Sequence, residues 1–102
     1  MFKLTPNPTF WRTVKITAAD GSTAEIELEY KHRTKAQWIE FASNAAGKTD
    51  DQVISELVVG WAGVDAEFSA EHLHELLQNY HTAAEEIAED YKAALTESRR
   101  KN

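Results

Sequence analysis

Two stretches near the start of the chain alternate apolar and polar residues with a period of two, and a turn signal separates them. Residues 10–17 (Phe, Trp, Arg, Thr, Val, Lys, Ile, Thr) and 23–32 (Thr, Ala, Glu, Ile, Glu, Leu, Glu, Tyr, Lys, His) carry the pattern of half-buried strands, and Asp20 with Gly21 supplies the turn. Setting Ile16 against Ala24 brings Val14 to Ile26, Arg12 to Leu28 and Phe10 to Tyr30, with Lys15 opposite Glu25 on the other face. The predicted hairpin has one greasy face and one charged face. A two-stranded hairpin is barely stable alone in water, so the rest of the chain must cover the greasy side.

Helices are the expected cover. Thr34 with Gln37, Thr49 with Gln52 and Thr82 with Glu85 fit the reciprocal bonding of a capping box, and Ser69 is a further N-cap. These starts predict helices over about 35–46, closed by Gly47, about 50–59, closed by Gly60, about 70–79 and about 83–98. Their apolar stripes are Trp38, Ile39, Ala42 and Ala45; Val53, Ile54, Leu57 and Val58; Leu73, Leu76, Leu77 and Tyr80; and Ala84, Ile87, Ala88, Tyr91 and Leu95. Periodicity leaves open whether the last two helices join through Tyr80 and His81. The expected fold class is therefore α+β: an N-terminal antiparallel hairpin (10–32) and three to four helices in one domain over 10–98. An extended arm (1–9) precedes it and a basic tail (99–102) follows.

Length and charge narrow the function. A chain of 102 residues builds one modest core. Zero cysteines exclude disulfides and thiolate metal ligands, which suits a reducing cytosol. The net charge of −6 disfavours nucleic acid as a partner, because Arg99, Arg100 and Lys101 are the only basic cluster. No apolar run has the length of a signal peptide core or of the roughly 18 residues that mark a membrane span, so neither export by that route nor membrane insertion is expected.

Candidate chemistry is thin. His72 and His74 are two apart on a predicted helix and diverge, and His74 and His81 stand two turns apart, so a metal-dependent enzyme built on these histidines with Glu71 and Glu75 is the least favoured reading. The acidic pairs Asp50–Asp51, Glu85–Glu86 and Glu89–Asp90 suit helix starts and solvated faces. No serine sits in a nucleophile context and Gly47, Gly60 and Gly63 make no phosphate cradle. No catalytic, metal or cofactor residue is expected. The connection from Trp61 to Phe68 is unusually apolar, which makes Trp61, Val64 and Phe68 either core plugs or a docking patch. Trp11 falls on the charged strand face and reads either as an interface anchor or as a ring sheltered by the arm or a helix.

The segment Val58 to Glu71, with its Gly60-Trp61, Gly63-Val64-Asp65 and Phe68-Ser69, followed by Leu73, Leu76, Leu77 and Tyr80, resembles a signature of the tail assembly chaperones of long-tailed bacteriophages. The opening Phe2-Lys3-Leu4, Pro6, Pro8, Thr9-Phe10-Trp11 and the ending Arg99 to Asn102 are similar to that family too, whereas Tyr80-His81 stands where a Tyr-Pro is common. The resemblance implies a non-enzymatic chaperone in the host bacterial cytoplasm that binds the tape measure protein and the major tail tube protein. Its partner-binding residues on this reading are Trp11, Trp61, Val64 and Phe68; a homo-oligomer is compatible with the same features. A small structural or connector protein of the tail is the alternative.

Overall fold

The computed structural model describes residues 1–96, and its first structural commitment is the turn. Gly21 adopts φ +89°, a left-handed conformation that a side chain resists. Asp20 Oδ1 accepts from Ser22 N–H (3.0 Å) and Ser22 Oγ–H (2.6 Å), and these bonds hold its carboxyl below the usual range. The flanking strands β1 (Thr9–Thr17) and β2 (Thr23–Lys31) pair antiparallel in the register expected from the alternation, from Ile16↔Ala24 to Phe10↔Tyr30.

The sheet has a third strand where a helix end was expected. Helix α1 (Lys35–Asn44) passes through a 3₁₀ turn (Ala45–Gly47) to α2 (Asp50–Leu57), which stops short of residue 59. Gly60 does not close it. Val58 is already extended (φ −101°, ψ 126°), and the chain runs directly into β3 (Val58–Ala62). That strand pairs with β2 through Tyr30↔Val58, Glu29↔Gly60, Leu28↔Trp61 and Glu27↔Ala62, so Val59 is the extra residue of a bulge. β2 becomes the central strand of the order β1-β2-β3. Gly60 serves a close approach instead: a Cβ there would lie 2.7 Å from Glu29 Oε1.

The inner face of this sheet carries the core. Helix α3 (Ala70–Asn79) is capped by Ser69, and α4 (Ala83–Thr96) starts anew after Tyr80 leaves helical geometry (φ −120°, ψ 96°), which settles the break between them. The remainder of the helix expected to residue 98, and the basic tail 99–102, lie outside the described residues. α4 packs along β1 and against α2, with α3 against both α2 and α4. Leu28, Tyr30, Ile54, Leu57, Val58, Ile87 and Tyr91 are sealed from water. Arg12, on the greasy strand face, runs across to α4 and ends in a two-pronged pair with Asp90 (Nε–Oδ2 3.0 Å, Nη2–Oδ1 2.9 Å). The Tyr30 hydroxyl donates to the same carboxylate at 3.0 Å.

α1 departs from its expected stripe. Ile39 is 62% exposed and Ala42 is exposed, whereas Trp38 and Phe41 turn inward, three residues apart on one side. The helix is peripheral, with no fully buried residue, so its rings reach the core as a narrow edge rather than a broad face. Two of the three expected capping boxes form, Thr34 with Gln37 and Thr49 with Gln52. Between the two helices Arg33 is buried: its guanidinium lies 4.3 Å from the Phe41 ring centre, and Nη2 donates to the Glu56 carbonyl at 2.9 Å.

Candidate functional site

At the hairpin end of the sheet the inner face is only partly covered: Ile16 of β1 is buried, whereas Ile26 of β2 is half-buried and Ala24 exposed. Ile16, Ala24 and Ile26 form the floor of a cavity of about 570 Å³ whose walls are Trp61 and Val64 on one side and Leu76 and Tyr80 of α3 on the other. Ile26, Val64, Trp61 and Leu76 are half-buried and Tyr80 is 37% exposed, so this apolar surface meets solvent. Asp65, Glu75, His72 and Asn79 also line the cavity. Its volume lies within the roughly 300–1,000 Å³ typical of binding pockets, and its lining mixes the apolar side chains with Ser22, Thr23, Asp65, His72, Glu75 and Asn79.

The wall is built by the connection between β3 and α3. Gly63 (φ +80°) turns the chain out of the strand. Trp61 faces inward because it pairs with Leu28 across the ladder, and its Nε1–H donates to the Ala66 carbonyl at 2.8 Å, drawing the connection back over the ring. Phe68 meets Trp61 edge-on, with ring centres 5.3 Å apart at 86°. His72 Nδ1 is 2.6 Å from the Glu67 carbonyl; a carbonyl only accepts, so that nitrogen carries the proton. An otherwise irregular segment is thereby pinned at three points.

The four residues proposed from the sequence are split among three places. Trp61 and Val64 line the groove, Phe68 supports Trp61 from behind, and Trp11 lies on the opposite face of the sheet, paired with Glu29 and 52% exposed. About half of the Trp11 surface meets solvent. On that outer face, Val59 from the bulge is also exposed and Glu29 accepts from Thr9 Oγ1–H at 2.7 Å. The groove is also lined by Ile16, which is buried in the core as the alternation predicts, and by Ala24, Ile26, Leu76 and Tyr80, expected on inward faces but partly open to solvent. The spacing of Leu76 and Tyr80, one helical turn apart and just before the break, is the signal that places them together at a helix end.

The histidines do not converge. His72 is held by the Glu67 carbonyl, and His74 Nδ1 faces Asp51 of α2. Among the described residues no group of three or more His, Asp or Glu side chains is placed to hold a metal ion, and no helix is long and apolar enough to cross a membrane.

No curated protein and no solved structure matches this chain. The family model described as phage tail assembly chaperone matches residues 1–102, the whole chain. With a match that spans its full length, the chain belongs to the phage tail assembly chaperone family.

Proposed function

We propose that this chaperone acts in the host bacterial cytoplasm by holding amphipathic helices of the tape measure protein in the groove between the hairpin end and α3, and that it presents the captured protein to tail tube subunits. The observation that carries the reading is the half-buried apolar surface of Ile26, Trp61, Val64 and Leu76 that meets solvent in that groove, on a body of net charge −6. An amphipathic helix buries its apolar stripe in such a groove, and an acidic exterior keeps the complex soluble while the client is incomplete. No bond is made or broken, and the client is released once its helices find their places in the tail.

Co-expression with the tape measure and tube proteins, followed by affinity capture, tests this. Val64→Asp puts a charge on the groove wall and is expected to abolish tape measure capture while circular dichroism shows a folded protein. Trp11→Ala on the opposite face is expected to leave capture intact. Capture that survives Val64→Asp and is lost in Trp11→Ala would move the client to the outer face of the sheet.

A further inference from the structure

The groove is charged in one sense only. Asp65 belongs to the connection that carries Val64, and Glu75 stands beside Leu76 on α3, so each wall brings one carboxylate to the cavity. Both residues are exposed, and neither carboxylate has a hydrogen-bond or ion-pair partner among the described residues. His72 adds an acceptor, because its Nδ1–H is engaged by the Glu67 carbonyl and Nε2 of the neutral ring keeps its lone pair.

No cation offsets these groups. Among the described residues no lysine or arginine lines the groove. Arg12 is committed to Asp90, Arg33 is buried between the Phe41 ring and the Glu56 carbonyl, and Lys48 pairs with Glu56. α3 also ends at this wall, where the C-terminal end of a helix carries partial negative charge, and no basic residue stands in its last turn. Two carboxylates, an imidazole lone pair and a helix C-terminus thus surround an apolar floor, and low-dielectric walls concentrate a field of one sign.

We infer that the groove selects cationic clients: amphipathic helices whose apolar stripe is flanked on both edges by lysine or arginine. The stripe, at positions i, i+3, i+4 and i+7, settles on Ile26, Trp61 and Leu76, and the flanking cations meet Asp65 at one wall and Glu75 at the other. A helix with aspartate or glutamate at those flanks sets like charges against both walls, with no cation in the groove to relieve them. Rejection is therefore as much a part of the selection as attraction. The inference rests on the reading of the groove as a holder of helices and adds which helices it holds.

The test uses the full chain and two synthetic peptide helices with the same leucine stripe, one flanked by lysines and the other by glutamates, each titrated by fluorescence anisotropy at low salt. The lysine peptide is expected to bind about tenfold more tightly, since two exposed charge contacts are gained in one peptide and reversed in the other, and to lose most of that advantage at high salt. Asp65→Asn combined with Glu75→Gln is expected to bring the two affinities within about twofold of each other. Glu25→Gln combined with Glu27→Gln removes the same two negative charges from exposed positions on the outer face of the sheet, and is expected to keep the preference. Equal affinities of the wild type for the two peptides, or a preference that the outer-face variant loses as fully as the groove variant, overturns the inference and leaves a groove that holds helices without regard to charge. Binding of neither peptide overturns the helix-holding reading with it.

Discussion

The inner face of the sheet is finished differently at its two ends. Where β1 begins, Phe10, Tyr30 and Tyr91 pack ring to ring, with the two tyrosines edge-on at 5.1 Å, and Trp38 of α1 closes over Tyr91 at 5.7 Å. Where β1 ends, Ile16 is still buried, but its neighbours Ala24 and Ile26 on β2 lie under an open groove. The difference lies in the helices. α4 starts at the hairpin end, where Glu86 Oε1 accepts from Thr17 N–H (3.1 Å), and runs along β1 to Asp90 on Arg12 and the ring cluster that α1 also reaches, so it covers β1 but not the hairpin end of β2. α3 stops at Asn79, so Leu76 and Tyr80 stand as a wall beside the hairpin rather than a cover above it. An apolar strand face thus says that something will lie on it, and the helix lengths decide whether that partner is part of the same molecule.

The largest effect that follows is at the closed end. Tyr91 is fully buried, and its hydroxyl donates to the Lys31 carbonyl at 2.7 Å. Tyr91→Ala is expected to lower unfolding free energy by about 3–5 kcal/mol, the range for emptying a buried aromatic site, as read by urea denaturation. A loss below about 1 kcal/mol would mean that this end is no better packed than the groove.

The closed end also holds a titrating group. Burial, and then the neighbouring Asp90 carboxylate, push the Tyr30 phenol far above its ordinary value. The folded state keeps this proton at a pH where the unfolded chain, with a pKa near 10, gives it up, so the contribution is complete below about pH 10 and falls as pH rises further. Stability is expected to decline above that pH by about 1.4 kcal/mol per pH unit more steeply than in Tyr30→Phe. Parallel alkaline limbs for the two proteins would show that the phenol is not held in its neutral form.

The closed end was the more legible in the sequence, for a physical reason. Alternation from Phe10 to Tyr30 sets which residues share a face, and the Asp20-Gly21 turn sets the register, so the whole ladder followed from local rules. β3 escaped them. Val58-Val59-Gly60-Trp61-Ala62 is short, does not alternate, and contains a bulge that breaks its period, while Leu57 and Val58 continue the helical stripe of α2. α1 was misread at Ile39 and Ala42 because a helix that touches the core by one edge needs fewer apolar contacts than its sequence offers. The groove is assembled from the hairpin, β3, its following connection and α3, and only the Trp61–Val64 wall is contiguous in the chain. Long-range placement of Ile26 opposite Leu76 has no local signal at all.

The smallest expected effect separates wall from core within one helix. Leu76 and Leu77 are neighbours on α3, yet Leu76 is half-buried in the groove wall and Leu77 is in the core cluster at 9% exposure. Leucine and glutamine have similar helix propensities, so Leu→Gln at either position tests packing rather than the helix itself. At Leu77 the substitution forces a polar amide into the core and is expected to cost about 2–5 kcal/mol. At Leu76 the amide can turn to water, only part of the roughly 1.5–3 kcal/mol of a fully buried leucine is at stake, and the expected cost is about 1 kcal/mol or less. Paired urea denaturation curves decide it. Equal losses at the two positions would mean that the groove wall is held as tightly as the core behind it, leaving no spare apolar surface for a client.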